Sequence, residues 1–493
     1  MVEVPGSSPV TPTTVSGTTR SAQPRRDDSS AGSRGDRAAG SRGDRADGTI
    51  GDLLAATRER YAAARPASRA LHDRATRVLP GGHTRTVLHF DPFPFRVTHA
   101  EGPWLVDADG HRYADLLGNY TAGLLGHAPD AVRTAVTETL ARGWSVGATQ
   151  AHEVELAELI TARFPSIARV RFTNSGTEAN VYAISAALHA TGRRGVLAMR
   201  GGYHGGVLTF GDAPSPINVP HEYHLTDFND VRALEADFAA AAPHLGCAIV
   251  EPLLGSAGCI PGTPEYLGRL RELCTAHDVP LIFDEVMTSR LGPAGLQGEL
   301  GIAPDLTTLG KYLGGGFSFG AFGGREDVMS VFGPRPVPMS LGSMASRAGR
   351  APLPAPSPLA HAGTFNNNPV SMSAGVAALR HVLTPEAVRA VNARGDALRE
   401  ALNAIFAEHG VPLWTAGRGS MMNVHGTPGP VRTVADAARG DDRWKELYFF
   451  AMLERGYYLA RRGFIALSLE VTDEILDGFV AATRDWAASA PAA

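Results

Sequence analysis

The middle of the chain alternates helical stretches with short runs of apolar residues. Glu153–Arg163 and Glu178–His189 carry apolar side chains at helical spacing. Four fully apolar runs lie after or between such helices: Val196–Met199, Cys247–Val250, Leu281–Phe283 and Leu306–Leu309. Helices that alternate with fully apolar strands are typical of a mostly parallel sheet covered on both faces. The pattern predicts an α/β domain over residues 151–375, with its ligand beyond the carboxyl ends of the strands.

Residues 50–150 and 376–493 follow a more mixed pattern. The first of these segments opens with a broken helical pattern that ends in the turn residues Leu79–Gly82. Trp104–Asp107 and Tyr113–Leu117 then predict two short strands joined by an Asp-Gly hairpin turn. We predict that residues 50–150 form the N-terminal segment of a small α+β domain and that residues 376–493 form its C-terminal part.

Two segments lack the apolar side chains of a folded core. Residues 1–49 contain few large apolar residues, and the octamer AGSRGDRA occurs there twice, at 31–38 and 39–46. Such a composition cannot repay the entropy of ordering, so we predict a disordered tail and interpret its two Arg-Gly-Asp tripeptides as chance. Residues 334–358 are dense in Pro, Ser, Gly and Ala, which predicts a surface insertion in the large domain.

Composition narrows the range of partners. The 493 residues include 46 Lys and Arg against 50 Asp and Glu, a balance that indicates neither nucleic acid nor an anionic membrane as partner. No apolar run reaches the roughly 18 residues of a membrane span, and the N-terminus lacks a secretory signal. The three cysteines have neither disulfide nor zinc-site spacing. We expect a cytoplasmic protein that acts on small molecules and binds no metal.

A candidate phosphate site follows the short strand that ends near Phe172. Ser175, Gly176 and Thr177 stand between this strand and the start of the next helix. Free amides at a helix N-terminus, with hydroxyl groups beside them, form a ready site for a phosphate dianion. An ordinary helix cap formed by Ser175 or Thr177 explains the same residues without a ligand.

Two further candidates also follow apolar strands. Asp284 comes directly after Leu281–Phe283, and a buried carboxylate there could pair with a protonated pyridine nitrogen or with a structural cation. Lys311 follows Leu306–Leu309 and precedes the glycines of Gly314–Gly316, which allow a close backbone approach. A lysine in such a tight site is suited to imine formation, whereas an exposed loop lysine is the alternative.

In this order, the three motifs resemble those of the class III aminotransferases, pyridoxal-phosphate enzymes of fold type I. The resemblance extends from Leu79 to Ser468 and implies a large domain with a mostly parallel sheet plus a small α+β domain. The motifs that carry it are Phe172–Asn180, Gly201–Gly205, Val250–Pro252, Phe283–Val286, Gly310–Gly316 and Gly363–Pro369.

The resemblance implies a role for each of eight positions around the cofactor. Lys311 would form the imine, and Asp284 would pair with the pyridinium nitrogen. Val286 and Tyr203 would pack on opposite faces of the ring. The phosphate would be held by residues of two subunits of a homodimer whose active sites lie at the interface: Ser175, Gly176 and Thr177 from one subunit and Thr364 from the other.

Within the family, the chain is most similar to the aromatic β-amino acid, or β-phenylalanine, aminotransferases. The segments that carry this likeness are Pro80–Leu88, Asp91–Pro94, Tyr120–Gly123, Asp284–Leu291, Phe317–Gly324 and Arg462–Phe464. In that group two arginines bind carboxylates on opposite sides of the site, a task that suits a planar guanidinium. The resemblance places them at Arg85 and Arg462, with Arg461 as a neighbouring alternative. We expect Phe93, Phe95 and Met287 to be available as an apolar wall, or else to belong to the core.

The resemblance implies a ping-pong aminotransferase that moves the amino group of a β-amino acid to 2-oxoglutarate. The opening motif also resembles that of glutamate-1-semialdehyde 2,1-aminomutases, which move an amine within one substrate. A non-catalytic protein that binds pyridoxal phosphate is the third hypothesis.

Overall fold

A seven-stranded mixed sheet, with helices on both faces, holds the candidate residues. The computed structural model describes residues 42–333 and 358–491. The predicted surface insertion, apart from residue 358, and the predicted tail up to residue 41 lie outside the described residues.

The strands are β1 (Val97–Glu101), β2 (Trp104–Asp107), β3 (Arg112–Asp115), β4 (Arg169–Thr173), β5 (Gly195–Met199), β6 (Glu222–Thr226), β7 (Leu245–Val250), β8 (Leu253–Leu254), β9 (Ile260–Pro261), β10 (Leu281–Asp284), β11 (Leu306–Gly310), β12 (Gly320–Gly324), β13 (Trp414–Arg418), β14 (Met421–His425), β15 (Tyr457–Tyr458) and β16 (Phe464–Ala466). The α-helices span Arg42–Ala63, Pro66–Thr76, Asp130–Arg142, Ala151–Arg163, Gly176–Thr191, Val231–Ala241, Pro264–Ala276, Gly295–Leu300, Glu326–Met329, Pro369–His381, Pro385–Glu408, Val434–Ala438, Asp442–Glu454 and Asp473–Ser489.

The large sheet has the strand order β4-β12-β11-β10-β7-β5-β6. Only β12 runs against its neighbours, so the other six strands share one direction. The four apolar runs of the sequence fall in β5, β7, β10 and β11, whose residues are all buried. The expected fold class, a mostly parallel sheet with covering helices plus smaller sheets, is therefore confirmed.

The two faces of this sheet bury different side chains because successive residues of a strand point in opposite directions. Val196 and Ala198 pack with the helix Gly176–Thr191 on one face. Leu197 and Met199, from the same strand, pack with the helices Val231–Ala241 and Pro264–Ala276 on the other. Apolar side chains therefore cover both faces of the sheet.

Of the smaller sheets, one combines strands from both ends of the chain and another lies wholly in its C-terminal part. Strands β1, β2, β3 and β15 form one sheet, and β13, β14 and β16 form another. Strand β15 pairs in parallel with β3, with Tyr457 opposite Ala114 and Tyr458 opposite Asp115. The C-terminal segment thus completes a sheet begun by the N-terminal one, and the predicted hairpin is present as β2 and β3.

The first helix begins at Arg42, so residues 42–49 are helical although the sequence pattern placed them in the tail. The later turns of this helix bury Ile50, Leu54 and Tyr61 against the core. That stripe anchors the helix, and the preceding polar turns extend it at little cost because propagation adds one hydrogen bond per residue. Within the described ranges, no helix is long and apolar enough to cross a membrane.

We predict opposite effects for alanine at two glycines of the large sheet region. A Cβ on Gly320 of β12 would collide with the carbonyl oxygen of Ser175, so Gly320→Ala should lower the free energy of unfolding by about 1–3 kcal/mol. Gly268 lies in the helix Pro264–Ala276 with open space around it, and Gly268→Ala should raise that free energy by about 0.5–1 kcal/mol. Urea unfolding of both variants measures this. Equal stability of the two would contradict the close approach of β12 to Ser175.

Candidate active site

The carboxyl ends of the parallel strands open into a cavity of about 300 Å³. Seven residues assigned to the cofactor by resemblance line it: Ser175, Gly176, Thr177, Tyr203, Asp284, Val286 and Lys311. The first and last of them, Ser175 and Lys311, are more than 130 residues apart in the sequence. The structure thus brings together all but Thr364 of the eight residues; their roles toward the cofactor stay predictions.

Lys311 stands at the end of β11 in a strained backbone conformation, with φ of +57°. Its Nζ donates a hydrogen bond to the main-chain oxygen of Tyr120 at 2.7 Å. Burial lowers the pKa of the amine to about 8; the Asp284 carboxylate opposes this shift, and the Arg85 guanidinium adds to it. Lys311 therefore has a much larger neutral, nucleophilic fraction near neutral pH than a solvated lysine.

The Asp284 carboxylate is buried and has three hydrogen-bond donors. Oδ2 accepts from Asn180 Nδ2 and from His204 Nδ1, both at 2.8 Å, and Oδ1 accepts from the Val286 amide at 3.0 Å. A buried carboxylate needs such partners to offset its lost hydration. No basic Arg or Lys forms an ion pair with Asp284 among the described residues, so the structural-cation alternative is reduced to His204.

A second layer of hydrogen bonds holds these partners. The Asn180 oxygen accepts from Thr308 Oγ1 at 2.6 Å, and its amide group also donates to the His204 main-chain oxygen at 3.0 Å. Thr308 lies on β11, directly opposite Asp284 on β10. Each member of this chain therefore orients the next. Sequence reasoning gave these partners no role, although a buried Asn on an otherwise apolar helix face was a usable signal.

The helix Gly176–Thr191 begins at the cavity. Ser175 caps it, because its Oγ accepts from the Glu178 amide at 3.2 Å. The ordinary-cap interpretation is therefore correct as far as it goes. A hydroxyl group both accepts and donates, so the Ser175 proton can still bind an anion together with the Gly176 and Thr177 amides, which lack intrahelical acceptors.

Close backbone approach shapes this end of the cavity. A Cβ on Gly176 would lie 2.7 Å from Val286 Cγ2, and one on Gly205 would collide with Thr177. Only glycine lets Val286 and the helix start come this near. Glu251, which also lines the cavity, accepts the Tyr203 amide at 2.9 Å, and burial raises the pKa of this carboxyl group.

The two predicted carboxylate-binding arginines lie outside the lining of this cavity and contact two adjacent residues, Asn119 and Tyr120. Arg462 stacks on the Tyr120 ring, 4.9 Å from its centroid, and Arg85 donates to Asn119 Oδ1 at 2.7 Å. Arg461 instead pairs with Glu446, Nη1 to Oε2 at 3.3 Å. That ion pair favours Arg462 over Arg461 as the residue facing the site.

Burial and the cavity lining bear on three other expectations. Phe93 and Phe95 are only 1% and 8% exposed and pack in the core against Tyr61 and Tyr113, which supports the core alternative for both. Met287 does line the cavity. Thr364 is exposed and is not part of the lining, and its expected place in the other subunit's site stays a prediction.

The residues present fit pyridoxal phosphate. The helix N-terminus with Ser175 and Thr177 suits a phosphate dianion, Lys311 suits an aldehyde, and Asp284 suits a protonated ring nitrogen. His204 adds a buried Nε2 with no hydrogen-bond partner among the described residues. No group of His, Cys, Asp or Glu in the described ranges is arranged to hold a metal ion.

We predict that the cofactor-free protein takes up pyridoxal phosphate at a rate that rises with pH through a midpoint near 8. The neutral amine is the attacking form, and burial stabilises it relative to the ammonium, so the midpoint lies below the ordinary value of 10.5. Stopped-flow absorbance over pH 6–11 measures it, with Nα-acetyl-lysine as reference. A midpoint equal to that of the reference would contradict the desolvation of Lys311.

Comparison with known proteins supports the same chemistry. Residues 88–441 match the family model described as aminotransferase class-III. The chain is 47% identical over 429 residues to a β-phenylalanine transaminase of Variovorax paradoxus, covering 87% of this chain and 94% of that protein. It is 39% identical over 441 residues to a glutamate-1-semialdehyde 2,1-aminomutase of Sorangium cellulosum, covering 85% and 96%.

Solved structures agree. A crystal structure of a β-phenylalanine aminotransferase from Variovorax paradoxus superposes with a TM-score of 0.83, covering 89% of this chain and 97% of that one. The family model alone spans well over half of the sequence. The family, the transaminase activity and the dependence on pyridoxal phosphate expected from the motifs are confirmed. The chain belongs to the class III aminotransferases and is a pyridoxal-phosphate-dependent transaminase.

Proposed function

We propose that the enzyme transfers the amino group of an aromatic β-amino acid to 2-oxoglutarate by a ping-pong mechanism. The observation that carries it is that Arg85 and Arg462 contact two adjacent residues, Asn119 and Tyr120, and that the Tyr120 main-chain oxygen accepts a hydrogen bond from Lys311. The 47% identity to a protein named for β-phenylalanine supports the substrate class. The enantiomer and the breadth of side chains accepted are left to experiment.

Pyridoxal phosphate, when bound, supplies an aldehyde that takes up the substrate nitrogen and a ring that withdraws electrons from the neighbouring carbon. Lys311 Nζ would remove the proton from the substrate carbon that bears nitrogen. The ammonium so formed would then give a proton up again. Its lowered pKa suits it to both steps, because the neutral form accepts the proton and the ammonium gives it up readily.

Asp284 supports this proton transfer from the opposite end of the cavity. Its carboxylate, held by Asn180 and His204, faces the position where the ring nitrogen would carry positive charge. Fixed hydrogen bonds keep the carboxylate in place, so no reorganisation is needed as charge builds up. Val286 and Tyr203 would hold the ring between them.

The two arginines serve the two carboxylates of successive substrates. A β-amino acid has one carboxylate, whereas 2-oxoglutarate has two, and a bidentate guanidinium is suited to each. Beneath Arg462, Tyr120 and Phe464 belong to an apolar cluster against which Leu88 and Met287 also pack. This cluster offers an aryl group a place next to the carboxylate sites.

We also propose that the enzyme works as a homodimer. Several large apolar side chains are exposed, and one of them, Phe317, lines the cavity: Leu140, Trp144, Val146, Val154, Phe317 and Phe365. An exposed apolar surface of this kind usually marks an interaction site. A second copy placed there would bring its own Phe365 and the neighbouring Thr364 toward this site, in line with the role that the resemblance gives to Thr364.

The aminomutase is the second candidate, because a protein of that name is 39% identical to the chain. An aminomutase moves the amine within one molecule and needs no external keto acid. Multiple turnovers of a β-amino acid only when 2-oxoglutarate is present would support the transaminase. Isomerisation of glutamate 1-semialdehyde without an acceptor would support the aminomutase.

The carboxylate sites give a sharper test. We predict that Arg85→Ala and Arg462→Ala each raise KM for racemic 3-amino-3-phenylpropanoate or for 2-oxoglutarate by at least about tenfold, since each removes charged hydrogen bonds. Their effect on 1-phenylethylamine, which has no carboxylate, should be much smaller. Steady-state kinetics with each substrate measures this.

Arg461→Ala is the matched control, because Arg461 is adjacent in sequence and pairs with Glu446 instead. It should leave KM for both acids within about twofold, because its guanidinium is held by the buried Glu446 carboxylate and not by a substrate. Unchanged KM values in both Arg85→Ala and Arg462→Ala would contradict the assignment of the carboxylate sites. An increase in Arg461→Ala alone would transfer that role to Arg461.

A further inference from the structure

A left-handed turn at Gly118–Thr121 lies at the centre of the carboxylate sites. Its four residues all have positive φ values, of 52°, 46°, 52° and 75°. Only glycine adopts this conformation freely, asparagine tolerates it, and Tyr120 and Thr121 are strained by it. Such strain persists only where the surrounding structure imposes it, and such sites are often functional.

The surrounding structure does impose it. A Cβ on Gly118 would lie 2.6 Å from the Ala466 oxygen, so the turn packs directly on β16. The Gly123 amide closes the turn by donating to the Gly118 oxygen at 2.8 Å. The Tyr120 hydroxyl donates to the Val87 oxygen at 3.0 Å, which ties the turn to the segment that carries Arg85.

Two adjacent residues of the turn accept hydrogen bonds from two basic side chains, Arg85 and Lys311. Asn119 Oδ1 accepts from Arg85 Nη1 at 2.7 Å, and the Tyr120 main-chain oxygen accepts from Lys311 Nζ at 2.7 Å. Consecutive Cα atoms across a trans peptide are about 3.8 Å apart. The turn thus sets the separation between a guanidinium and the reacting amine through one peptide unit.

We propose that Asn119 is a positioning residue that aims the Arg85 guanidinium at the substrate carboxylate, which rests on the function proposed above. The neutral amide oxygen accepts one guanidinium N–H without cancelling the charge and leaves the other donors for a carboxylate. By fixing the distance from that guanidinium to Lys311, Asn119 favours acids whose amino group stands at one particular spacing from the carboxylate. The expected consequence is selectivity for 3-amino over 2-amino acids.

Two substitutions separate this role from simple turn formation. Glycine and aspartate both adopt the left-handed conformation more readily than most residues, so Asn119→Gly and Asn119→Asp should keep the turn. Asn119→Gly removes only the acceptor of Arg85. Asn119→Asp keeps an acceptor of the same shape but neutralises the guanidinium.

The experiment titrates the holoenzymes with 3-phenylpropanoate and with 2-oxoglutarate by calorimetry, so no turnover is involved. We expect that the acid whose Kd rises in Arg85→Ala also binds about tenfold more weakly to Asn119→Gly, and more weakly still to Asn119→Asp. In Arg85→Ala, adding Asn119→Gly should cause no further loss. In kinetics, KM for 3-amino-3-phenylpropanoate should rise about tenfold in Asn119→Gly while kcat changes by less than about twofold.

The outcomes are distinct. If Arg85→Ala weakens an acid but both Asn119 variants bind it like the parent enzyme, Asn119 is only a turn former and the inference is overturned while the proposed function stands. If Asn119→Asp binds like the parent and Asn119→Gly does not, an acceptor at this position aims Arg85 and the inference stands, while the charge of that acceptor is irrelevant. If Arg85→Ala leaves both Kd values unchanged, the carboxylate role of Arg85 in the proposed function fails and this inference with it.

Discussion

The active site depends on one buried carboxylate. Asp284 ends a fully apolar strand, and its charge is tolerable there only because Asn180, His204 and the Val286 amide donate to it. These donors are themselves held in place. Thr308 Oγ1 donates to the Asn180 oxygen, and His204 is bonded to Asp284 through its ring Nδ1 and to Asn180 through its main-chain oxygen. The same network sets the attraction that partly opposes the desolvation of Lys311, and in the role proposed for Asp284 it would also set the position of a pyridinium nitrogen.

Local patterns predicted the strands and the polar residues at their carboxyl ends. Asp284 and Lys311 could be placed because apolar runs end at them, and the common direction of six strands then brings those ends together. The partners could not be predicted, because they depend on contacts across the chain: His204 and Lys311 bond to residues 80 and 191 positions away. For Phe93 and Phe95 two alternatives stayed open, since an apolar side chain gives no local sign of whether it faces a cavity or the core.

The chain contains few lysines besides the reacting one. Lys311 and Lys445 are the only lysines in the 493 residues, and Lys445 is paired with Asp442 at 2.5 Å on the helix Asp442–Glu454. In the proposed function, carboxylate binding falls to arginines, which stay charged and so cannot form an imine with an aldehyde at working pH. In the Gly118–Thr121 turn, the Asn119 amide oxygen accepts from Arg85 and the Tyr120 main-chain oxygen accepts from Lys311, so neither acceptor is a carboxylate.

The proposed chemistry requires a covalent bond between the cofactor and Lys311 Nζ. Borohydride reduction of the purified holoenzyme, followed by digestion and mass spectrometry, tests it directly, because reduction makes the bond between amine and cofactor permanent. We predict one pyridoxyl phosphate per chain, on the peptide that contains Lys311. A label on Lys445, or a holoenzyme that carries none, would contradict it.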